Sequence, residues 1–338
     1  MKDPFFLPPI PWLSERVQPW ADYFDLPTLP LHIHEVLFAA LVYSVVFYPI
    51  SPLLSNWLAP EHYSKLPRKR RLNWDAHVVS MVQCVLINGL AIWVMITDGE
   101  LNQMDAEDRV WGYTGASAFI QAFAAGYFLW DLIVTSLNLD VFGLGTLAHA
   151  IAALFVYALG FRPFVNYYAC VFILWELSTP FLNVHWFMDK LGMTGTRAQL
   201  YNGIALLFTF FSCRLVYGTY SSFRVFHDIW STINSHPSAA KFELSSTMMT
   251  FVTPDTTVPL WLGATYLAAN LTLNSLNFYW FFMMIRAVRK RFEPSEVNGK
   301  NFDATANSPV TEAELDLSSV ASGVAKPAVA GRRRKTQA

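Results

Sequence analysis

The 338-residue chain is 54% hydrophobic and 16% aromatic but only 14% charged, whereas a soluble domain carries about 25% charged residues. Apolar stretches recur that match the roughly 20 helical residues needed to cross a hydrocarbon layer about 30 Å thick, which excludes a soluble domain of any size. With 24 Lys and Arg against 25 Asp and Glu, there is no excess of positive charge for a basic groove, so no nucleic-acid partner is expected.

In chain order, residues 1–33 open with the proline-rich MKDPFFLPPIPWLSERVQPW. This run has no basic region followed by an apolar core, so it is read as a non-cytoplasmic segment and not as a cleavable signal. A first transmembrane helix is expected over 34–60, with its span at about 34–57 and Pro49 and Pro52 inside it. Further spans are expected at about 77–96, 111–134, 143–161, 164–187, 201–220 and 260–285. That makes an all-α, polytopic membrane protein of about seven transmembrane helices. Loop charge supports the count, because Lys and Arg gather on the cytoplasmic side. Seven spans put KLPRKRR (Lys65 to Arg71) and RAVRKR (Arg286 to Arg291) on one face, and the acidic DGELNQMDAEDR and the 221–257 loop on the other. The N-terminus is then outside and the C-terminus cytoplasmic. Residues 292–338 lose aromatics after Phe302 and fill with Ser, Ala, Pro and charge, a composition that predicts a disordered cytoplasmic tail. Its Arg332 to Lys335 run is read as solvated charge in preference to a retrieval signal or lipid-attracted patch. Cys84, Cys170 and Cys213 lie in apolar runs and predict no disulfide framework.

Polar groups at membrane depth are the places to look for function. Asn73 and Asp75 are read as helix caps, with Trp74 as an interfacial anchor. Asp131 shares a helix face with Tyr127 and Thr135. His149 stands alone in the fourth span. The fifth is the most polar: Glu176, Thr179 and Asn183 recur at i, i+3 and i+7 and share a face, His185 follows, and Pro180 frees a carbonyl near residue 176. Glu176 needs a partner, for which Arg214 or His149 is available. Asn202, Asn270, Asn274 and Asn277 are expected in interhelical hydrogen bonds. No soluble catalytic or phosphate-binding motif is present. His77, His149 and His185 are far apart in sequence, so neither a metal site nor a cofactor is expected.

The run from about Arg68 to Arg291 resembles the TLC domain shared by ceramide synthases, translocation-associated membrane proteins and a ceroid-lipofuscinosis protein. The residues carrying the likeness are NWDAHVVSMVQ (73–83), RVWGYTGASAFIQAFAAGYFLWDLIVT (109–135), His149 with FRPFVNYY (161–168), ELSTPFLNVHWF (176–187) and YNGIALLFTFFSCRLVYG (201–218). The chain looks most like fungal TLC-domain proteins of the transmembrane protein fifty-six type. The resemblance implies a TLC domain over 68–291: six spans in a bundle or barrel around a cavity, preceded by one extra helix, in the endoplasmic reticulum. Ceramide synthases carry a His-His pair and then a His-Asp followed three residues later by Asp. Here those places read Ala148-His149 and Trp175-Glu176 with Thr179, so the acyl-transfer set is mostly dismantled. The resemblance therefore implies a role in lipid homeostasis, by binding, sensing or moving a lipid or acyl chain. Asp131, Tyr127, Thr179, Asn183, His185, Asn202 and Arg214 would line the cavity. The alternatives are an acyl-CoA-dependent acyltransferase with His149 as base and Glu176 orienting it, and a cargo receptor or translocon partner.

Overall fold

A lipid-embedded backbone has no water to bond to and must satisfy its own N–H and C=O groups, which is why helix accounts for most of the described residues. The computed structural model describes residues 1–233, 248–250 and 257–292. In chain order these form α1 (Pro11–Phe24), α2 (Leu29–Val45), α3 (Ser51–Leu58), α4 (Pro60–Tyr63), α5 (Arg68–Thr97), α6 (Gly99–Gln103) and α7 (Ala106–Trp111). The strand β1 (Gly112–Thr114) then leads into α8 (Gly115–Leu137), α9 (Leu139–Leu159), α10 (Tyr167–Ile173), α11 (Thr179–Lys190), α12 (Arg197–Phe210) and α13 (Gly218–Ile233). The strand β2 (Met248–Thr250) pairs antiparallel with β1, Gly112 opposite Thr250, and α14 (Leu260–Phe292) follows. The protein is thus an all-α, multi-pass membrane protein. Among the described residues four rods are long and apolar enough to cross a membrane: Leu29–Leu58, Arg68–Thr97, Gly115–Leu137 and Arg197–Ile233. Large apolar side chains such as Leu41, Ile96, Leu144, Phe208 and Phe282 are exposed, as expected of a surface solvated by lipid.

Several helices run differently from the sequence expectation, each for a local reason. The first rod starts at Leu29, not 34, and Pro49 does not end it. A π turn over Val46–Ile50 absorbs the proline, and the Ser51 N–H reaches back to Val46 O. The fourth helix is kinked at Gly143, whose φ of 80° is open to glycine. The sixth continues through a π segment, Phe211–Tyr217, into α13 and so occupies the first part of the expected 221–257 loop. Ser221, Ser222, Val225, Asp228, Ile229 and Thr232 recur there at helical spacing and are buried, an amphipathic pattern that hydropathy alone passes over. Asn73 and Asp75 are not caps. The helix begins at Arg68, and Asp75, a buried acid, accepts from Ser51 Oγ at 2.6 Å and from Tyr63 OH at 2.9 Å. Trp74 is equally buried and donates to Ser55 Oγ at 2.9 Å. Residues 293–338, with the expected tail and its Arg332 to Lys335 run, lie outside the described residues.

The main core packs α2, α5, α8 and α10 together through Tyr43, Val79, Ile87, Ile120, Trp130, Cys170 and Ile173. Contacts between connecting segments fall into two groups, one at each end of the bundle. At one end, Arg68 reaches Asn138 Oδ1 at 2.7 Å and Trp74 meets Phe187 at 5.1 Å between ring centres. At the other, Thr28 N–H donates to Phe161 O at 3.1 Å, Arg162 pairs with Asp25, and Val165 N–H donates to Val110 O at 2.8 Å.

The strongest tie at this second end joins α7 to α13. Arg109 donates to Asp228 through Nε at 2.6 Å and Nη2 at 2.9 Å, and Tyr168 OH donates to the same carboxylate at 2.6 Å. Hydrogen bonding to Asp228 outweighs burial and raises the Arg109 pKa, so the guanidinium stays charged. Asp228 is 1% exposed, and removing one partner of such a buried pair costs about 3–5 kcal/mol. Asp228→Ala is therefore expected to destabilise the detergent-solubilised protein by about that amount, and Tyr168→Phe by about 1.5–3 kcal/mol, the worth of one hydrogen bond to a charge. Equilibrium unfolding of the three proteins checks the ranking.

Candidate functional site

The centre of the site follows from Pro180. A proline has no N–H, so the carbonyl of Glu176 lacks its α-helical donor. The chain answers with a 3-10 turn over Leu174–Ser178, in which the Thr179 N–H bonds to Glu176 O. Thr179 can then no longer serve Trp175 O, which an α-helix would have given it. Trp175 O keeps the Ser178 N–H of the 3-10 turn and accepts from Ser178 Oγ at 3.4 Å. Arg214 adds a further donor: its Nε lies 2.8 Å from Trp175 O and 3.1 Å from Ser178 Oγ. The rest of the guanidinium spreads over Asn277 Oδ1 at 3.2 Å, Thr179 Oγ1 at 3.4 Å and Glu176 Oε1 at 3.6 Å, and it lies over the Phe210 ring at 4.9 Å. Arg214 itself sits on the π segment, so two irregular helical segments face each other and carry the opposite charges. Such irregularities are frequent at functional sites.

Glu176 is set among helices yet its side chain is 31% exposed, against 13% for Arg214. Its charge reaches Cys84 of α5, Tyr127 of α8, and His149 and Tyr157 of α9. These groups belong to three other helices, so the partly exposed carboxylate stands where α5, α8 and α9 approach the 3-10 turn. Tyr127 also feels Asp131, which accepts from Thr135 Oγ1 at 3.4 Å. The tyrosine ring is held by Tyr43 at 5.3 Å and Trp130 at 5.8 Å. Asp131, Tyr127, Glu176 and Arg214 thus form one polar row across α8, the 3-10 turn and the π segment.

The remaining residues group differently. Asn183 turns toward α5, where its Oδ1 accepts from His77 Nδ1 at 2.8 Å and its Nδ2 donates to Ser80 Oγ at 3.0 Å. His77 stacks on Trp186 with ring centres 4.0 Å apart. His185 is buried against Gly203 of α12, and Asn202 Nδ2 donates to Phe181 O at 2.8 Å. The expected Glu176, Thr179 and Asn183 stripe therefore divides, its first two members on Arg214 and the third on α5. His149 is exposed and stands edge-on to Phe128 at 6.3 Å. Among the described residues no hydrogen bond joins it to Glu176, though the charges of Glu176 and Arg214 both reach it. Sequence reading left out His77, Ser80 and Ser178 as site residues. The i, i+3 spacing of His77 and Ser80 in an apolar helix was the available signal.

The model of the TLC domain matches residues 73–286. An uncharacterised TLC domain-containing protein of Schizosaccharomyces pombe is 40% identical over 279 residues, covering 82% of this chain and 86% of its own length. Topoisomerase I damage affected protein 4 of Saccharomyces cerevisiae is 27% identical over 270 residues, covering 78% of this chain and 87% of its own. TLC domain-containing protein 4-B of Danio rerio is 30% identical over 176 residues, or 51% of this chain and 65% of its own. The helical membrane architecture and the length of these matches agree, and the chain belongs to the TLC-domain family.

Proposed function

We propose that this protein takes a membrane lipid or acyl chain into the space beside Glu176 and acts in lipid homeostasis by binding, sensing or moving it. The observation that carries this reading is the half-open Glu176 paired with Arg214 inside an otherwise apolar bundle. Apolar walls suit an acyl chain, while the carboxylate and guanidinium are placed to orient a polar headgroup. A charge at membrane depth is costly unless it has a partner or a use. Glu176→Leu leaves Arg214 without its counter-ion, whereas Glu176→Gln keeps a hydrogen-bonding group in place. In membranes treated with a photoactivatable fatty-acid or phospholipid probe, labelling of the segments around residue 176 is expected in wild type, strongly reduced in Glu176→Leu, and reduced less in Glu176→Gln. Equal labelling of all three would remove Glu176 from the binding site.

A second reading, acyl transfer, is favoured by His149 lying within electrostatic reach of Glu176. A general base contributes about 10²- to 10⁴-fold in rate. The binding reading predicts no product when purified protein meets labelled acyl-CoA and a panel of amine and alcohol lipids. It also predicts that His149→Ala weakens lipid labelling only in part, since an interhelical hydrogen bond in a membrane is worth about 0.6–2 kcal/mol. Product formed by wild type and abolished in a folded His149→Ala protein would establish the acyltransferase instead.

The site belongs to a topology of seven crossings: the first helix, then six helices of a TLC domain over 68–291, with the N-terminal segment outside and the C-terminus cytoplasmic in the endoplasmic reticulum. Support comes from the way connecting segments sort between the two ends. The Lys65 to Arg71 cluster meets the α8–α9 connection, with Lys69 Nζ on Asp140 O at 2.9 Å, and Arg109 near the acidic segment meets α13 at the opposite end. Glycosylation reporters are expected to place Lys65 to Arg71 and Arg286 to Arg291 both in the cytoplasm. Opposite placement would overturn seven crossings.

A further inference from the structure

The opening segment of the chain is fastened onto the bundle and carries an acid into a buried histidine–glutamate pair. The Met1 amino group lies 2.8 Å from both Asp98 Oδ1 and Glu100 Oε2, and the Ala116 N–H donates to Met1 O at 3.4 Å. Gly115 lets this segment come close: a Cβ there would lie 2.4 Å from the Asp3 nitrogen. Asp3 Oδ1 accepts from the Phe5 N–H at 2.8 Å, leaving Oδ2 to face His32 Nδ1 at 3.5 Å. From the next turn of α2, Glu35 Oε1 reaches the same nitrogen at 2.9 Å.

One donor atom from each of Asp3, His32 and Glu35 lies within 4.8 Å of the other two. Two carboxylates and one imidazole nitrogen thus converge. When both acids are ionised, neither can donate to the other, and what lies between them is either the His32 ring proton or a shared cation. Glu35 is 0% exposed, and its Oε2 has no hydrogen-bond partner among the described residues. Donors about 2.0–2.2 Å from a tetrahedral zinc stand about 3.3–3.5 Å apart, and the separations of 2.9 and 3.5 Å around His32 Nδ1 bracket that value. The outer shell is also present. His32 Nε2 bonds to the Tyr113 hydroxyl on β1, the kind of contact that fixes the ring of a metal-binding histidine. Beside it, His34 is held by its own bond from Nε2 to Leu7 O at 3.0 Å.

We propose that Asp3, His32 and Glu35 form a divalent-metal site, with a one-nitrogen, two-oxygen donor set suited to zinc, that pins the N-terminal segment to α2. The coordination is three protein ligands with one position left for water or another ligand.

The test uses the full chain without a polyhistidine tag, purified in detergent, stripped with a chelator and equilibrated with zinc chloride. Retained zinc is counted by mass spectrometry, and thermal unfolding is followed with and without zinc. About one zinc per chain and a zinc-dependent rise in Tm are expected for wild type. Asp3→Asn and Glu35→Gln are each expected to weaken zinc binding at least about tenfold, and Tyr113→Phe by about 10- to 100-fold, the usual effect of losing an outer-shell partner. Asp3 is partly exposed, so Asp3→Asn should unfold at the wild-type temperature when zinc is absent, which separates loss of metal from loss of fold. His227→Ala, at a surface histidine far in sequence from the three ligands, should leave the amount of zinc retained unchanged. A wild-type chain that retains no zinc would show that the two acids share a proton and would overturn the site. So would a folded Asp3→Asn protein that retains as much zinc as wild type.

Discussion

The middle of the bundle is organised around one guanidinium, that of Arg214, and the break in α-helical bonding that it faces. Inside a hydrocarbon layer an unsatisfied backbone group costs several kcal/mol, and no water is at hand to relieve it. Pro180 removes the α-helical donor of Glu176 O, and the 3-10 turn answers by giving that carbonyl the Thr179 N–H. At this turn Arg214, from another helix, adds its Nε to Trp175 O at 2.8 Å. Once the guanidinium is fixed to a backbone atom it brings a full positive charge into the membrane, and Glu176 on the same turn balances it. The ion pair is thus built beside an irregular stretch of backbone. The arginine also has hydrogen bonds to Ser178, Thr179 and Asn277, beyond what a simple charge pair needs.

How much of this was legible in the sequence depends on whether the determining contact is local. The apolar runs fixed the positions of the helices, because length and hydropathy are local properties. Glu176, Thr179 and Pro180 announced themselves by type and spacing, and Arg214 was one of two partners that charge balance allowed. That Asn183 would leave the stripe for His77 was not legible, since it depends on the separation of α5 and α11 and not on helical period. Asp75 looked like a cap because it stands where hydropathy first rises. The helix had in fact begun at Arg68, and a cationic first turn carries no apolar signal. The length of α13 was hidden for the same reason: its buried face is built partly from Ser221, Ser222, Asp228 and Thr232, which hydropathy scores as loop.

The two ends of the bundle solve the charge problem differently. At the end carrying Lys65 to Arg71, cations are largely exposed and their ion pairs are long, Arg68 and Lys69 each standing about 3.5 Å from the Asp140 carboxylate. Exposed pairs of this kind contribute little to stability. At the other end the charges are buried and closely bonded, in Arg109 with Asp228 and Tyr168, and in the amino group of Met1 with Asp98. The basic end is held by aromatic contacts such as Trp74 with Trp186 and by the hydrogen bonds of Ser51 and Tyr63 to Asp75.

The same asymmetry ties the N-terminal cluster to the central site. His32 and Glu35 lie on α2, and two to three turns further along the same helix Tyr43 donates to Gln83 of α5 and meets the Tyr127 ring edge-on. Tyr127 in turn stands within the field of Glu176. The same helix therefore runs from the place where Asp3 is seated to the contact of Tyr43 with Tyr127. Asp3 lies outside the stretch matched by the family model, so the N-terminal segment meets the matched domain partly through α2.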